Sequence, residues 1–151
     1  MPRIEQALMV AAPPEKVYSV ARNVEQFPLF MEDLQSLTIL EGSPQENRTV
    51  TEWVGIIRAF KMKLRWKQED IWNDAELRDD FRQLEGDLDR MEGSWVFAPQ
   101  PDGATRFESV VDYEINVPMV GPMVKGLVKK LMTENLQATL EAIAKRAEEE
   151  N

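Results

Sequence analysis

Lys61-Met62-Lys63-Leu64-Arg65-Trp66-Lys67 alternates without a break: Met62, Leu64 and Trp66 share one side, and Lys61, Lys63, Arg65 and Lys67 the other. Successive side chains of a strand point to opposite faces, so this stretch has one face for a core and one for water. One-sided alternation is the mark of antiparallel sheets, whereas buried parallel strands read as continuous apolar runs. The pattern recurs at Met91, Gly93, Trp95 and Phe97, and again at Phe107, Ser109, Val111, Tyr113 and Ile115. Turn residues at Gly42-Ser43-Pro44, Asn73-Asp74, Gly86-Asp87 and 99–103 separate the runs, which predicts an antiparallel meander over 35–116.

Outside that region the period changes. Arg3 to Ala11 reads as an opening strand with Ile4, Gln6, Leu8 and Val10 on one side. Pro13-Pro14-Glu15 is a helix-start signal for a short amphipathic helix carrying Val17, Tyr18, Val20 and Ala21. Phe27-Pro28-Leu29-Phe30-Met31 predicts a second short helix or turn. Beyond Pro118, Val124, Val128, Leu131 with Met132, Leu136, Leu140 and Ile143 recur at helical spacing. A helix over about 124–148 would be on the order of 37 Å long. Glu148-Glu149-Glu150 would oppose its negative pole and is expected to fray. Such an apolar stripe must be buried against the apolar face of the sheet.

Composition narrows the chemistry. The chain has 151 residues, a size expected of a single domain over 1–151, and it contains neither cysteine nor histidine. Disulfides, thiol nucleophiles, thiolate zinc sites, imidazole acid–base chemistry and histidine pH switches are closed to it. No metal or cofactor is expected. Eighteen basic against 27 acidic residues give a net charge of −9, which phosphate backbones repel, so nucleic acid is not an expected partner. No basic, then apolar, leader pattern opens the sequence and no apolar run reaches the roughly 18 residues of a membrane span, so a cytoplasmic protein without stable membrane insertion is expected. Composition carries no sign of oligomeric state.

Ala12-Pro13-Pro14-Glu15-Lys16-Val17-Tyr18 and Val24-Glu25-Gln26-Phe27-Pro28-Leu29-Phe30-Met31 resemble the opening of START-like (SRPBCC) proteins of the polyketide cyclase/dehydrase and coenzyme-Q-binding branch. The glycine-bracketed stretch from Leu84 to Phe97 is similar to that branch's turn leading into a strand with one tryptophan. Asp112-Tyr113-Glu114-Ile115, a Pro/Met/Gly segment and a long helix complete the order, so the resemblance covers nearly the full length. It implies an α+β helix-grip fold: a curved antiparallel sheet wrapped around a long C-terminal helix, with two short helices between the first two strands. It also implies a hydrophobic cavity for a lipid, isoprenoid, polyketide or similar molecule, with cyclisation or aromatisation in some members. Another branch resembles a ribosome-association toxin, a reading that sits poorly with a net charge of −9.

The expected ligand-binding residues are Met62, Leu64, Trp66, Trp95, Phe97, Ser109, Val111, Tyr113, Met123, Val124, Leu127 and Leu131, apolar apart from the two hydroxyls. Phe27, Phe30, Met31, Met119 and Val120 are the expected rim, with methionines that adapt to ligand shape. Lys125, Lys129 and Lys130 would permit transient contact with an anionic membrane. Glu52, Arg58, Glu69, Asp70, Arg82 and Glu85 are the polar groups that could face the cavity, against an ordinary role in surface ion pairing. Gly86-Asp87-Leu88-Asp89 has too little of a calcium loop to be more than a turn. The expected function is carriage or sensing of a small hydrophobic ligand. The alternatives are a cyclase or dehydratase using Tyr113 with an arginine or a carboxylate, and a protein-interaction module using Phe27 to Met31 and Met119 to Met123.

Overall fold

The computed structural model describes residues 3–43, 46–57, 62–114 and 122–149, apart from the side chains of 57, 62 and 122–125. Strand β1 (Arg3–Val10) is followed by helix α1 (Pro14–Arg22), a 3-10 turn (Val24–Gln26) and the single-turn helix α2 (Phe27–Phe30). Six strands follow: β2 (Leu34–Glu41), β3 (Arg48–Ile57), β4 (Met62–Asn73), β5 (Arg78–Gly86), β6 (Arg90–Pro99) and β7 (Thr105–Glu114). Helix α3 (Pro122–Glu149) ends the order. The helix-grip architecture expected from the sequence is the one observed.

The seven strands form one sheet in the order β1-β7-β6-β5-β4-β3-β2, antiparallel throughout. Strands β2 to β7 are the expected meander. The placement of β1 was not legible: it pairs with β7, Arg3 opposite Asp112, so that β1 and β2 lie at opposite edges of the sheet. Arg3 clamps that register through two bonds to Asp112, at 2.8 and 3.0 Å. Gly93 is where the sheet needs a missing side chain. A β-carbon there would lie 2.1 Å from the Val110 carbonyl oxygen and 2.9 Å from the Phe81 ring.

Two parts of the concave face behave differently. At one end α1 and the C-terminal half of α3 close down on the sheet, burying Val17, Ala21, Leu140, Ile143 and Ala147 with Phe97 and Phe107, whose rings stack at 4.7 Å. The expected fraying of α3 is not seen at Glu148, which lies within the helix. The Ala11 backbone N–H donates to its Oε2 at 2.8 Å, tying the helix end to the exit of β1. An acid that opposes the helix dipole is held here by a tertiary bond. Toward its middle α3 stands off the sheet, and Val128, Leu131, Met132 and Leu136 are only half-buried.

Helix α1 carries proline and glutamate in its first turn and arginine in its last, as the helix dipole favours. Its Tyr18 ring meets Phe97 and Trp72 edge-on at 5.5 and 5.8 Å, and its hydroxyl donates to Asp74 Oδ1 at 2.5 Å. Arg22 donates to the same oxygen at 2.8 Å and lies 5.3 Å over the Trp72 ring. Tyr18→Phe keeps the ring and removes the hydroxyl bond, so urea unfolding should show a loss of about 1 kcal/mol. No measurable change would mean that water replaces the bond at no net loss.

Candidate functional site

Where α3 stands off the sheet, a cavity of about 430 Å³ opens. Its buried lining consists of Met31, Leu34, Trp53, Gln68, Phe81, Met91, Trp95 and Val111. Leu64, Trp66, Gly55 and Ile56 from the sheet and Asn135, Leu136, Thr139 and Ala142 from α3 form half-buried walls. Glu32, Glu141 and Lys145 are exposed at the mouth.

Strand register builds the aromatic wall. Trp53 lies opposite Trp66 in the β3–β4 pair, and their indoles stack at 5.5 Å and 13°. Each indole N–H is satisfied by the inward-facing residue two positions along or back on its own strand: Trp53 donates to Thr51 Oγ1 at 2.7 Å, Trp66 to Gln68 Oε1 at 3.0 Å. Phe81 meets Trp95 edge-on at 6.0 Å. Phe30 packs edge-on against Phe27 at 5.8 Å and lies under the Arg146 guanidinium at 5.3 Å. Such a wall is apolar toward the cavity, because its polar edges are already bonded within the protein.

Of the expected ligand-binding residues, Leu64, Trp66, Trp95 and Val111 line the cavity. Phe97, Ser109 and Tyr113 are buried inside but do not line it. Alternation puts them on the inner face; the closed end of the sheet then covers Phe97 with α1. Tyr113, paired with Met91 in the β6–β7 register, has its phenol pushed up by burial. Leu131 is half-buried and Leu127 is 40% exposed, near the exposed Lys129 and Lys130, and neither lines the cavity. Phe30 and Met31 do line it, whereas Phe27 is core rather than rim: it is fully buried and packs on Trp53 at 5.9 Å. The expectations for Met119 and Val120 lie outside the described residues, and those for Met62, Met123 and Val124 outside the described side chains.

The alternation of β4 continues beyond Trp66 to Gln68, Asp70 and Trp72; Asp70 is one of the expected polar candidates, and Gln68 is not among the expected site residues. Gln68 donates from Nε2 to Asp70 Oδ1 at 2.9 Å. Asp70 in turn is within hydrogen-bond reach of Asp79 on β5, and both carboxyls are buried. Among the described residues no donor reaches either oxygen of Asp79. Burial first, then the charge of Asp70, raises Asp79 well above the ordinary carboxylate range; burial also raises Asp70. The other polar candidates on β4 and β5 face outward. Glu69 sits between Arg48 and Arg82 at 2.7 and 2.9 Å, bonds that hold it below the usual range, and Glu85 pairs with Lys67 at 3.0 Å.

A depression of about 470 Å³ on the outer face is more open and is lined by paired charges, among them Arg3 with Asp112 and Arg82 with Glu69. Its charged groups are therefore already engaged. Among the described residues no three histidine, cysteine, aspartate or glutamate side chains converge as metal ligands, and no helix is long and apolar enough to cross a membrane.

Residues 10–144 match the model of the family described as polyketide cyclase/dehydrase and lipid transport. The chain belongs to that family. The ribosome association toxin RatA of Escherichia coli is 24% identical over 138 residues, 91% of this chain and 84% of the relative. The granaticin polyketide synthase bifunctional cyclase/dehydratase of Streptomyces violaceoruber is 27% identical over 150 residues, 97% of this chain but 44% of the relative. Among solved structures, TTHA0849 from Thermus thermophilus is 35% identical, with a TM-score of 0.89 and 97% of each chain covered. The family's description covers both cyclase/dehydrase activity and lipid transport.

Proposed function

We propose that the chain, as one domain, binds a small hydrophobic ligand between the sheet and α3 and carries or senses it. The observation that supports this most is the aromatic cavity of about 430 Å³, within the range of small-molecule sites. The titratable lining groups, Glu32, Asp33, Glu141 and Lys145, include three that are exposed at the mouth, whereas the buried lining is apolar but for Gln68. General acid–base catalysis needs a titratable group within hydrogen-bond reach of the reacting atom. Tyr113, the residue on which the cyclase alternative was built, is not in the cavity wall. Carriage or sensing therefore accounts for the site with fewer additional requirements than turnover.

Gentle purification followed by native mass spectrometry should reveal a bound apolar molecule that is lost on organic extraction, and returning the extract should raise Tm. A protein that is always ligand-free and whose Tm no apolar extract changes would refute the reading.

A further inference from the structure

Gln68 is the polar exception in the buried part of the cavity. It is 7% exposed, and the other buried lining side chains, from Met31 to Val111, are apolar. An amide in such surroundings is destabilising unless its hydrogen bonds are made. Two of them are made, and they fix its orientation. The Trp66 indole can only donate, so the group facing it at 3.0 Å must be the amide oxygen; Asp70 accepts at 2.9 Å, so the group facing it must be the amide nitrogen. Behind this contact, the buried Asp79 carboxyl lies within hydrogen-bond reach of Asp70. A primary amide has two N–H donors and two oxygen lone pairs. Among the described residues the bonds to Trp66 and Asp70 use one of each, leaving one N–H and one lone pair on a side chain that lines the cavity.

We propose that Gln68 is the internal polar anchor of the cavity, and that its preferred ligand carries a carbonyl or hydroxyl at the end that meets it. Trp66 and Asp70 act as positioning residues, holding the amide in one orientation so that binding need not order it. A carbonyl takes the remaining N–H, and a hydroxyl can use either remaining valence. A wholly apolar ligand fills the same space and leaves both unused. This rests on the reading of the cavity as a ligand site.

Two probes of similar shape separate the claims: 2-acetylnaphthalene, which has a ketone, and 2-isopropylnaphthalene, which does not. Binding is read from quenching of tryptophan fluorescence. The affinity ratio of ketone to hydrocarbon should fall about tenfold from the wild type to Gln68→Leu, through weaker ketone binding. In the wild type, the infrared carbonyl stretch of bound 2-acetylnaphthalene, isolated with a carbon-13 label, should lie below its position in hexane. A stretch at the hexane position overturns the anchor whether or not Gln68→Leu folds, and so does an unchanged ratio in a folded variant. If neither probe binds up to its solubility limit, the ligand-site reading fails and the anchor with it. Hydrocarbon binding with an unshifted ketone rejects Gln68 alone.

Discussion

Asp79→Asn should stabilise the protein at neutral and alkaline pH and remove a decline of stability with rising pH. An unfolded aspartate titrates near 3.9. In the folded protein, burial and the neighbouring Asp70 carboxyl raise Asp79 well above that, with Asp80 adding repulsion and Arg22 opposing the rise. Asp70 itself is raised by burial and by Glu69. Below about pH 4 both folded and unfolded forms of Asp79 are protonated, and the group contributes no pH slope. From there up to the folded value, the native state holds a proton that the unfolded chain has released. Stability therefore falls by about 1.4 kcal/mol per pH unit, then levels off. The sign is opposite to that of Glu69, Asp74 and Asp112, whose hydrogen-bonded carboxylates titrate low and lose their stabilisation as acid is added. Asparagine has nearly the shape of the acid, can donate to Asp70 and cannot ionise. Urea unfolding of the two proteins should agree within error near pH 4 and diverge by roughly 1–3 kcal/mol at pH 8, with Asn more stable. For a chain of this length that is a Tm difference of several degrees. Parallel pH profiles would mean that the acid pair is not protonated as its burial demands.

Ala142→Trp should lower the affinity for 2-isopropylnaphthalene at least about a hundredfold, on the order of 2.7 kcal/mol. Ala142 is half-buried on the face of α3 that lines the cavity, so an indole there occupies the space the ligand needs. Leu140 and Ile143 pack into the core at this level, but the Ala142 side chain lies on the cavity side of the helix, so the new ring enters the cavity's volume. Stability should change by less than about 1.5 kcal/mol, against the 1–3 kcal/mol usual for overpacking. Glu134→Trp, at an exposed α3 position outside the lining, controls for an added tryptophan. Undiminished affinity in a folded Ala142→Trp would place the ligand elsewhere, with the outer depression the first alternative.

Much of the architecture is legible along the chain because its signals are local. Alternation around Leu64 and Trp66, glycine and proline at the turns, and a helical stripe through Leu140 and Ile143 each depend on neighbours a few residues apart. Those features led to an antiparallel sheet, two short helices and one long one, and the resemblance supplied the grip. The site was legible only in part, because alternation distinguishes inside from outside and nothing finer. Trp66, Trp95 and Phe97 are equivalent by that criterion, yet the first two border open space and the third is covered by α1. Gln68 could have been found by continuing the alternation past Lys67 to Asp70, itself one of the candidates; the polar character of Gln68 argued for the surface, although its position argued for the interior.

From local patterning follow the element types, the inward faces and the absence of thiol and imidazole chemistry. The pairing of β1 with β7, the gap beneath the middle of α3, and the meeting of Asp70 with Asp79 across β4 and β5 follow from none of it. They depend on how far the sheet curves and where the helix rests, which is set by packing among residues distant in the chain. The same long-range packing withdraws water from both carboxyls, and that loss of solvent raises both above the ordinary carboxylate range.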